Sequence, residues 1–128
     1  MRSTVSRDGL TVMESYSPKF HDRTVENARW ADLTVAFAVD FTSPGERLTA
    51  TAAGEDYLPF DLPHSGEELE DEGLRRRMAT ILARRLESRA DPVRLNVAGS
   101  TAADLSRHGI SQEQADAFVT DVLGRAVD

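Results

Sequence analysis

The sequence predicts a three-layer α/β fold, a small and mostly parallel sheet flanked by helices, in a single domain over residues 1–128. Three observations carry this. LTVAFAV (33–39) is a charge-free apolar run, the signature of a strand covered on both faces. Two more short apolar runs, YLPFDL (57–62) and VRLNVAG (93–99), follow at intervals that hold helical patterns. Strand and helix signals alternate with no repeat, low-complexity tract or linker between them, as in a layered α/β domain.

Taken in order, residues 1–17 are expected to be partly irregular, with Leu10–Met13 as a short strand. Pro18 suits a first helical turn, and Val25, Ala28 and Trp30 give residues 19–31 a weak apolar stripe. The first main strand covers 33–39. Thr42 or Ser43 caps the next helix, with Pro44 at its start and Gly54 at its end. The second strand, about 57–61, carries Pro59 and so belongs at a sheet edge. Ser65 and Glu68 form a capping-box pattern ahead of a helix over 66–90, whose stripe runs through Leu74, Met78, Ile81, Leu82 and Leu86. Within it, Asp71–Arg75 and Glu72–Arg76 are acid-first pairs four residues apart. The third strand spans about 93–98. Ser111 and Gln114 repeat the capping box before a last helix lined by Ala115, Phe118, Val119 and Val122.

Charge narrows the function classes. At a net −7, with its one arginine cluster (75–77) following the acidic run 67–72, the chain lacks the basic face a nucleic-acid partner requires. No apolar run approaches the ~20 residues of a membrane span, and the first residues lack the apolar core of a secretory signal. There is no cysteine, hence no disulfide or thiolate chemistry. These features predict a cytoplasmic protein with neither nucleic-acid nor membrane partner. His21, His64 and His108 stand singly, so no metal site is expected, and no GxSxG elbow, Walker loop or GxGxxG is present.

In a parallel sheet, ligands bind beyond the carboxyl ends of the strands. Three segments reach that edge: Asp40–Gly45, Asp61–Ser65 and Gly99–Thr101. TSPGERLT (42–49) starts a helix whose free N–H groups attract anions, with Gly45 allowing close approach. An ordinary helix cap uses the same residues. LNVAGST (95–101) offers Gly99, Ser100 and Thr101 just past a strand. Asn96 inside that strand needs partners, which a neighbouring loop or a ligand can supply. Arg23 and Asn27 share a helix face, which fits a bound anion and an internal ion pair equally well.

RTVENARWADLTVAF (23–37), PGERLTATAAGEDYLPFDL (44–62) and LNVAG (95–99) together resemble the molybdenum-carrier family. That family is part of the Rossmann-like group that includes the LOG (lysine decarboxylase-like) proteins. The resemblance rests on Arg23, Thr24, Asn27 and Asp32, then on Gly45, Leu48 and Thr49, then on Asp61-Leu62 and LNVAG. Glu46 stands where the family has Thr, and Ser100 where it has Pro. The family's opening strand and GGQTG-type turn have no counterpart in these residues. The resemblance implies a Rossmann-like fold and a ligand site of Arg23, Thr24, Asn27, Gly45, Thr49, Asn96, Gly99, Ser100 and Thr101. The expected function is non-catalytic binding of a nucleotide-like or other anionic small molecule, with no cofactor specified. One alternative is an interaction module, or a degenerate family member, whose partner completes the sheet. Another is a nucleotide N-glycosidase-type enzyme drawing its acid from Asp32, Asp40 or Glu46. The absent first strand leaves an edge open, so a homodimer or a partner chain is expected to cover it.

Overall fold

The computed structural model describes residues 2–6, 9–13, 20–89 and 91–127. In order these form β1 (Arg2–Ser6), β2 (Gly9–Met13), α1 (Phe20–Trp30), β3 (Leu33–Ala38), α2 (Pro44–Ala53), β4 (Tyr57–Asp61), α3 (Glu72–Glu87), β5 (Val93–Gly99), α4 (Ala102–Arg107) and α5 (Gln112–Val127). Five strands join in one sheet in the order β2-β1-β5-β3-β4. β3 runs parallel to both β4 and β5, while β1 is antiparallel to β5 and to β2. The fold is therefore α/β and consistent with a Rossmann-like arrangement around a parallel centre.

β3 lies inside the sheet between β5 and β4, and every one of its residues is buried, which is why its sequence shows no polar alternation. β4 lies at the edge, where Leu58 and Phe60 turn inward and Pro59 outward. An edge strand tolerates the missing donor of Pro59. Phe37 meets Phe60 at 5.3 Å and the edge of Phe118 at 6.3 Å. Leu33, Val35 and Phe37 thus face α3 and α5, where Met78, Leu82, Leu86, Phe118 and Val122 complete the apolar core. By strand alternation, Thr34, Ala36 and Ala38 face the opposite layer, in which α1 packs on α2.

The short strand expected at Leu10–Met13 is observed as β2, whereas the strand Arg2–Ser6 corrects the expectation of an irregular start. Arg2–Ser6 and Gly9–Met13 form a hairpin, and β1 pairs along β5 with Arg2 opposite Asn96. RSTVS alternates small polar residues with one valine, too weak a pattern to read as a strand. The β5 side of the parallel strands is thus paired within the chain, and β2 and β4 are the two edges of the sheet. Pro18 lies outside the described residues.

The helix expected over 66–90 begins at Glu72 and ends at Glu87. Ser65 does accept from the Glu68 N–H (3.3 Å), but this caps a 3-10 turn at Glu68–Glu70. Asp71 is the helix cap, accepting from the Gly73 N–H at 2.9 Å. With Asp71 so engaged, Arg75 donates to the Leu69 carbonyl (2.8 Å) and reaches Asp121 at 3.3 Å, whereas the Glu72–Arg76 pair forms at 3.3 Å. The second capping box closes fully, the Gln114 N–H donating to Ser111 Oγ (3.1 Å) and the Ser111 N–H to Gln114 Oε1 (2.9 Å). Gly54 ends α2 at φ 60°, the left-handed turn glycine permits.

Candidate functional site at the carboxyl edge of the sheet

β3 leads into α2 on one face of the sheet, and β5 leads through α4 to α5 on the other. Adjacent strands whose connections diverge leave a crevice beyond their carboxyl ends. A cavity of about 800 Å³ lies there, lined by α1, the turn into α2, the end of β5 and α4. Of the residues proposed from sequence, Arg23, Thr24, Asn27, Gly45, Thr49, Asn96, Gly99 and Thr101 all line it.

Ser100 does not. Its Oγ accepts from the Val39 N–H (2.9 Å), and its own N–H donates to the Phe37 carbonyl (3.3 Å). The serine thus ties the end of β5 to the end of β3 and fixes the cavity floor from behind. Gly99 has a steric role beside it, because a Cβ there would stand 3.2 Å from the Phe37 carbonyl oxygen.

The walls are polar where a Rossmann-like domain ordinarily packs aliphatics. The buried residues of α2 are Glu46 and Thr49. Thr49 Oγ1 donates to the Gly45 carbonyl at 3.0 Å. Asn96 Nδ2 donates to Thr34 Oγ1 at 3.4 Å, so this strand amide is held within the sheet. Asn27 accepts from the Arg2 Nε at 2.8 Å, and the Arg2 guanidinium lies 5.1 Å over the Trp30 ring. The N-terminal hairpin thereby orients a cavity residue. Thr101 caps α4 by accepting from the Asp104 N–H (3.2 Å).

At the start of α2, Pro44 has no N–H and the Glu46 N–H is given to Ser43 Oγ at 3.4 Å. Gly45 is therefore the first-turn residue that can offer an amide to a ligand. Charge in the cavity comes from Arg23 and Arg107 against Asp40, Glu46 and Asp104. Arg107 pairs with Asp104 at 2.9 Å. Asp40 accepts from both the N–H and the hydroxyl of Thr42, and these bonds hold its carboxyl below the usual range. Glu46 differs from both. It is 5% exposed, and its Oε2 is buried without a hydrogen-bond partner. Burial first, then the carboxylates of Asp104 and Asp40, push its pKa up to about 7.

Asp32, the third acid considered for catalysis, lies at the other end of the sheet. It accepts from the Arg94 N–H at 2.9 Å, which pins the start of β3 to β5 and lowers its pKa. His64 and His108, far apart in sequence, bring their rings to 4.5 Å, and His108 Nδ1 is 2.9 Å from the Asp104 carbonyl. Among the described residues no three His, Cys, Asp or Glu side chains are grouped to hold a metal, and no helix is long and apolar enough to cross a membrane.

The sequence reading gives Ser43 as a helix cap and Asp40 and Glu46 as candidate acids at this edge rather than as binding residues, and it does not include Asp104 or Arg107. Glu46 had a legible signal: a carboxylate one turn before Thr49, on a helix whose aliphatics do not form that stripe. Asp104 and Arg107 had none, because α4 is six residues long and its sequence carries no apolar period.

Searches for relatives of this chain find no matching family model, no matching curated protein and no matching solved structure.

Proposed function

We propose that this chain binds a nucleotide-like or other anionic small molecule in the switch-point cavity and performs no chemistry on it. The supporting observation is that α2, a helix start carrying Gly45, turns the buried Glu46 and Thr49 toward a half-open cavity that Arg23, Asn27 and Asn96 also line. Burying polar groups in place of aliphatics costs stability, and proteins retain that cost at binding sites. A volume of about 800 Å³ suits a ligand of nucleotide size. The anionic part of the ligand is assigned to Arg23 and the Gly45 amide. Within the segments that resemble the molybdenum-carrier family, Arg23, Thr24, Asn27, Gly45, Thr49, Asn96 and Gly99 line this cavity, whereas Asp32 lies at the opposite end of the sheet.

Differential scanning fluorimetry against nucleoside monophosphates, ADP-ribose and molybdopterin-type ligands tests the reading. A ligand at about a hundred times its Kd stabilises the fold by about 2.7 kcal/mol. No shift with any of these ligands refutes it.

One observation favours a second reading, hydrolysis of a nucleotide N-glycosidic bond: a buried carboxyl titrating near neutrality in the cavity suits proton transfer. Release of free base from nucleoside monophosphates would establish it. A cytoplasmic location belongs to the same proposal. So does a homodimer, now through the outer strand β2, for which light scattering at micromolar concentration is the test.

A further inference from the structure

Three carboxyl groups and two arginines line the cavity, and they are unevenly placed. Arg23 comes from α1, whereas Asp40, Glu46 and Asp104 come from the turn after β3, from α2 and from α4. Arg107, the other arginine, is engaged by Asp104 at 2.9 Å. Glu46 is the carboxyl without a partner. It is 5% exposed, its Oε2 is shut away without a hydrogen bond, and it forms no ion pair among the described residues. A buried carboxyl left so is costly, and the cost is recovered when a partner reaches it.

The surroundings define that partner. The carboxylates of Asp104 and Asp40 both act on Glu46, and no arginine offsets them there. A neutral hydrogen-bond donor would satisfy an oxygen and leave this repulsion in place. A positive charge answers both. A proton is the smallest such charge, and Glu46 accordingly keeps one up to about pH 7. The first turn of α2 opposes a cation with only roughly half an elementary charge, against three carboxyl groups. Among the described residues these carboxyls do not group as metal ligands, so the charge fits a protonated amine. Its three N–H donors serve Glu46 and a neighbouring carboxylate together.

We infer that the ligand of this cavity is a zwitterion, an amine-bearing anion whose ammonium group lies against Glu46, Asp40 and Asp104 while its carboxylate or phosphate lies at Arg23 and the Gly45 amide. The inference rests on the small-molecule reading proposed above and narrows it, from an anion to an anion that also carries a positive nitrogen.

NMR titration of the unaltered chain at pH 8 tests it with matched probes. γ-Aminobutyrate, δ-aminovalerate and ε-aminocaproate are compared with butyrate, valerate and caproate, and O-phosphoethanolamine with ethyl phosphate; butylamine supplies the amine alone. At least one amine-bearing anion is expected to bind roughly ten- to a hundred-fold more tightly than its amine-free counterpart, the factor that hydrogen bonds to a charged group imply. A gain among the amino acids supports the carboxylate form of the ligand, and a gain with O-phosphoethanolamine the phosphate form. At pH 7, calorimetry in buffers of different ionisation enthalpy should show protons released as the tightest amino acid binds, because its ammonium displaces the proton of Glu46. Glu46→Gln should abolish that release and narrow the affinity ratio several-fold, weakening the amine and easing the repulsion felt by its counterpart. The probe comparison needs no variant, so a misfolded variant does not remove the test. Amine-free counterparts that bind as tightly, or protons taken up on binding, overturn the inference and leave the anion-binding reading intact. Butylamine binding as tightly as every zwitterion overturns both, since Arg23 then adds nothing. No binding by any amine-bearing anion overturns the inference alone, the broader reading being decided by the fluorimetry above.

Discussion

Replacing Glu46 by glutamine tests the electrostatics of the cavity without any ligand. In the folded chain its pKa is raised from 4.5 to about 7. Between those values the native protein keeps a proton that the unfolded chain has released. The unfolded state then binds fewer protons, so stability falls as pH rises, by about 1.4 kcal/mol per pH unit for a single proton. Over the whole interval the loss reaches about 3 kcal/mol, absent below the lower value and complete above the upper one. Glutamine keeps the shape and removes the titration. Glu46→Gln is therefore expected to gain about 3 kcal/mol on the wild type between pH 4.5 and pH 8. Urea unfolding followed by circular dichroism, at half-unit steps of pH with equal m values, reads this directly. Any packing difference appears as a constant offset, so the slope is the test. Asp32, Asp40 and Asp121 have depressed pKa values; their contributions are complete above the usual 3.8 and are lost only as pH falls below it. They do not tilt the window. A variant whose advantage stays flat with pH refutes the assignment of a buried, neutral-range carboxyl to Glu46.

Other substitutions probe the frame around the cavity. Ser100→Ala removes the acceptor of the Val39 N–H at a residue 6% exposed, and a loss of about 1–3 kcal/mol in urea unfolding is expected; a change near zero would show that the clamp is idle. Gly99→Ala places a Cβ 3.2 Å from the Phe37 carbonyl and should cost about 1–3 kcal/mol, read from the thermal midpoint. Tyr57→Phe deletes a buried hydroxyl without a partner, whose pKa burial raises to about 12, and should raise stability by about 1 kcal/mol; destabilisation instead would mean that the hydroxyl is satisfied in solution. Asp32→Asn removes a carboxylate whose pKa is lowered chiefly by the Arg94 N–H, so its unfolding midpoint should fall less steeply than wild type below pH 4.

The parallel centre of the sheet was legible because its residues obey simple rules. An uninterrupted apolar run marked β3, Pro59 marked an edge, and Ser43 with Pro44 and Gly54 bracketed α2. Of the hairpin only β2 was legible, as Leu10–Met13; β1 was not, because Arg2–Ser6 draws its place from pairing with β5 and carries few apolar side chains of its own. The start of α3 was displaced because two capping signals, Ser65 and Asp71, stand six residues apart; both make their bonds, and local sequence does not say which one opens the longer helix. At the cavity, residues chosen for strand ends and helix starts converge because topology alone brings such positions together. Ser100 stands apart from the lining because a hydroxyl at a strand end serves the backbone of the next strand as readily as a ligand, and sequence does not give its direction.

The hydrogen bond from Arg2 to Asn27 joins two parts of the molecule that differ in how easily they open. A hairpin at a sheet edge is ordinarily among the first segments to detach in native-state fluctuations, whereas the interior strands open only with the whole fold. Each excursion of β1 away from β5 withdraws the guanidinium from Asn27 and uncovers the Asn96 side of the cavity. A ligand bound as proposed would therefore link occupancy of the cavity to closure of the hairpin. A saturating ligand should slow amide exchange along Arg2–Ser6 by the factor by which it is held more tightly in the closed form, with the exchange of β4 at the far edge left unchanged.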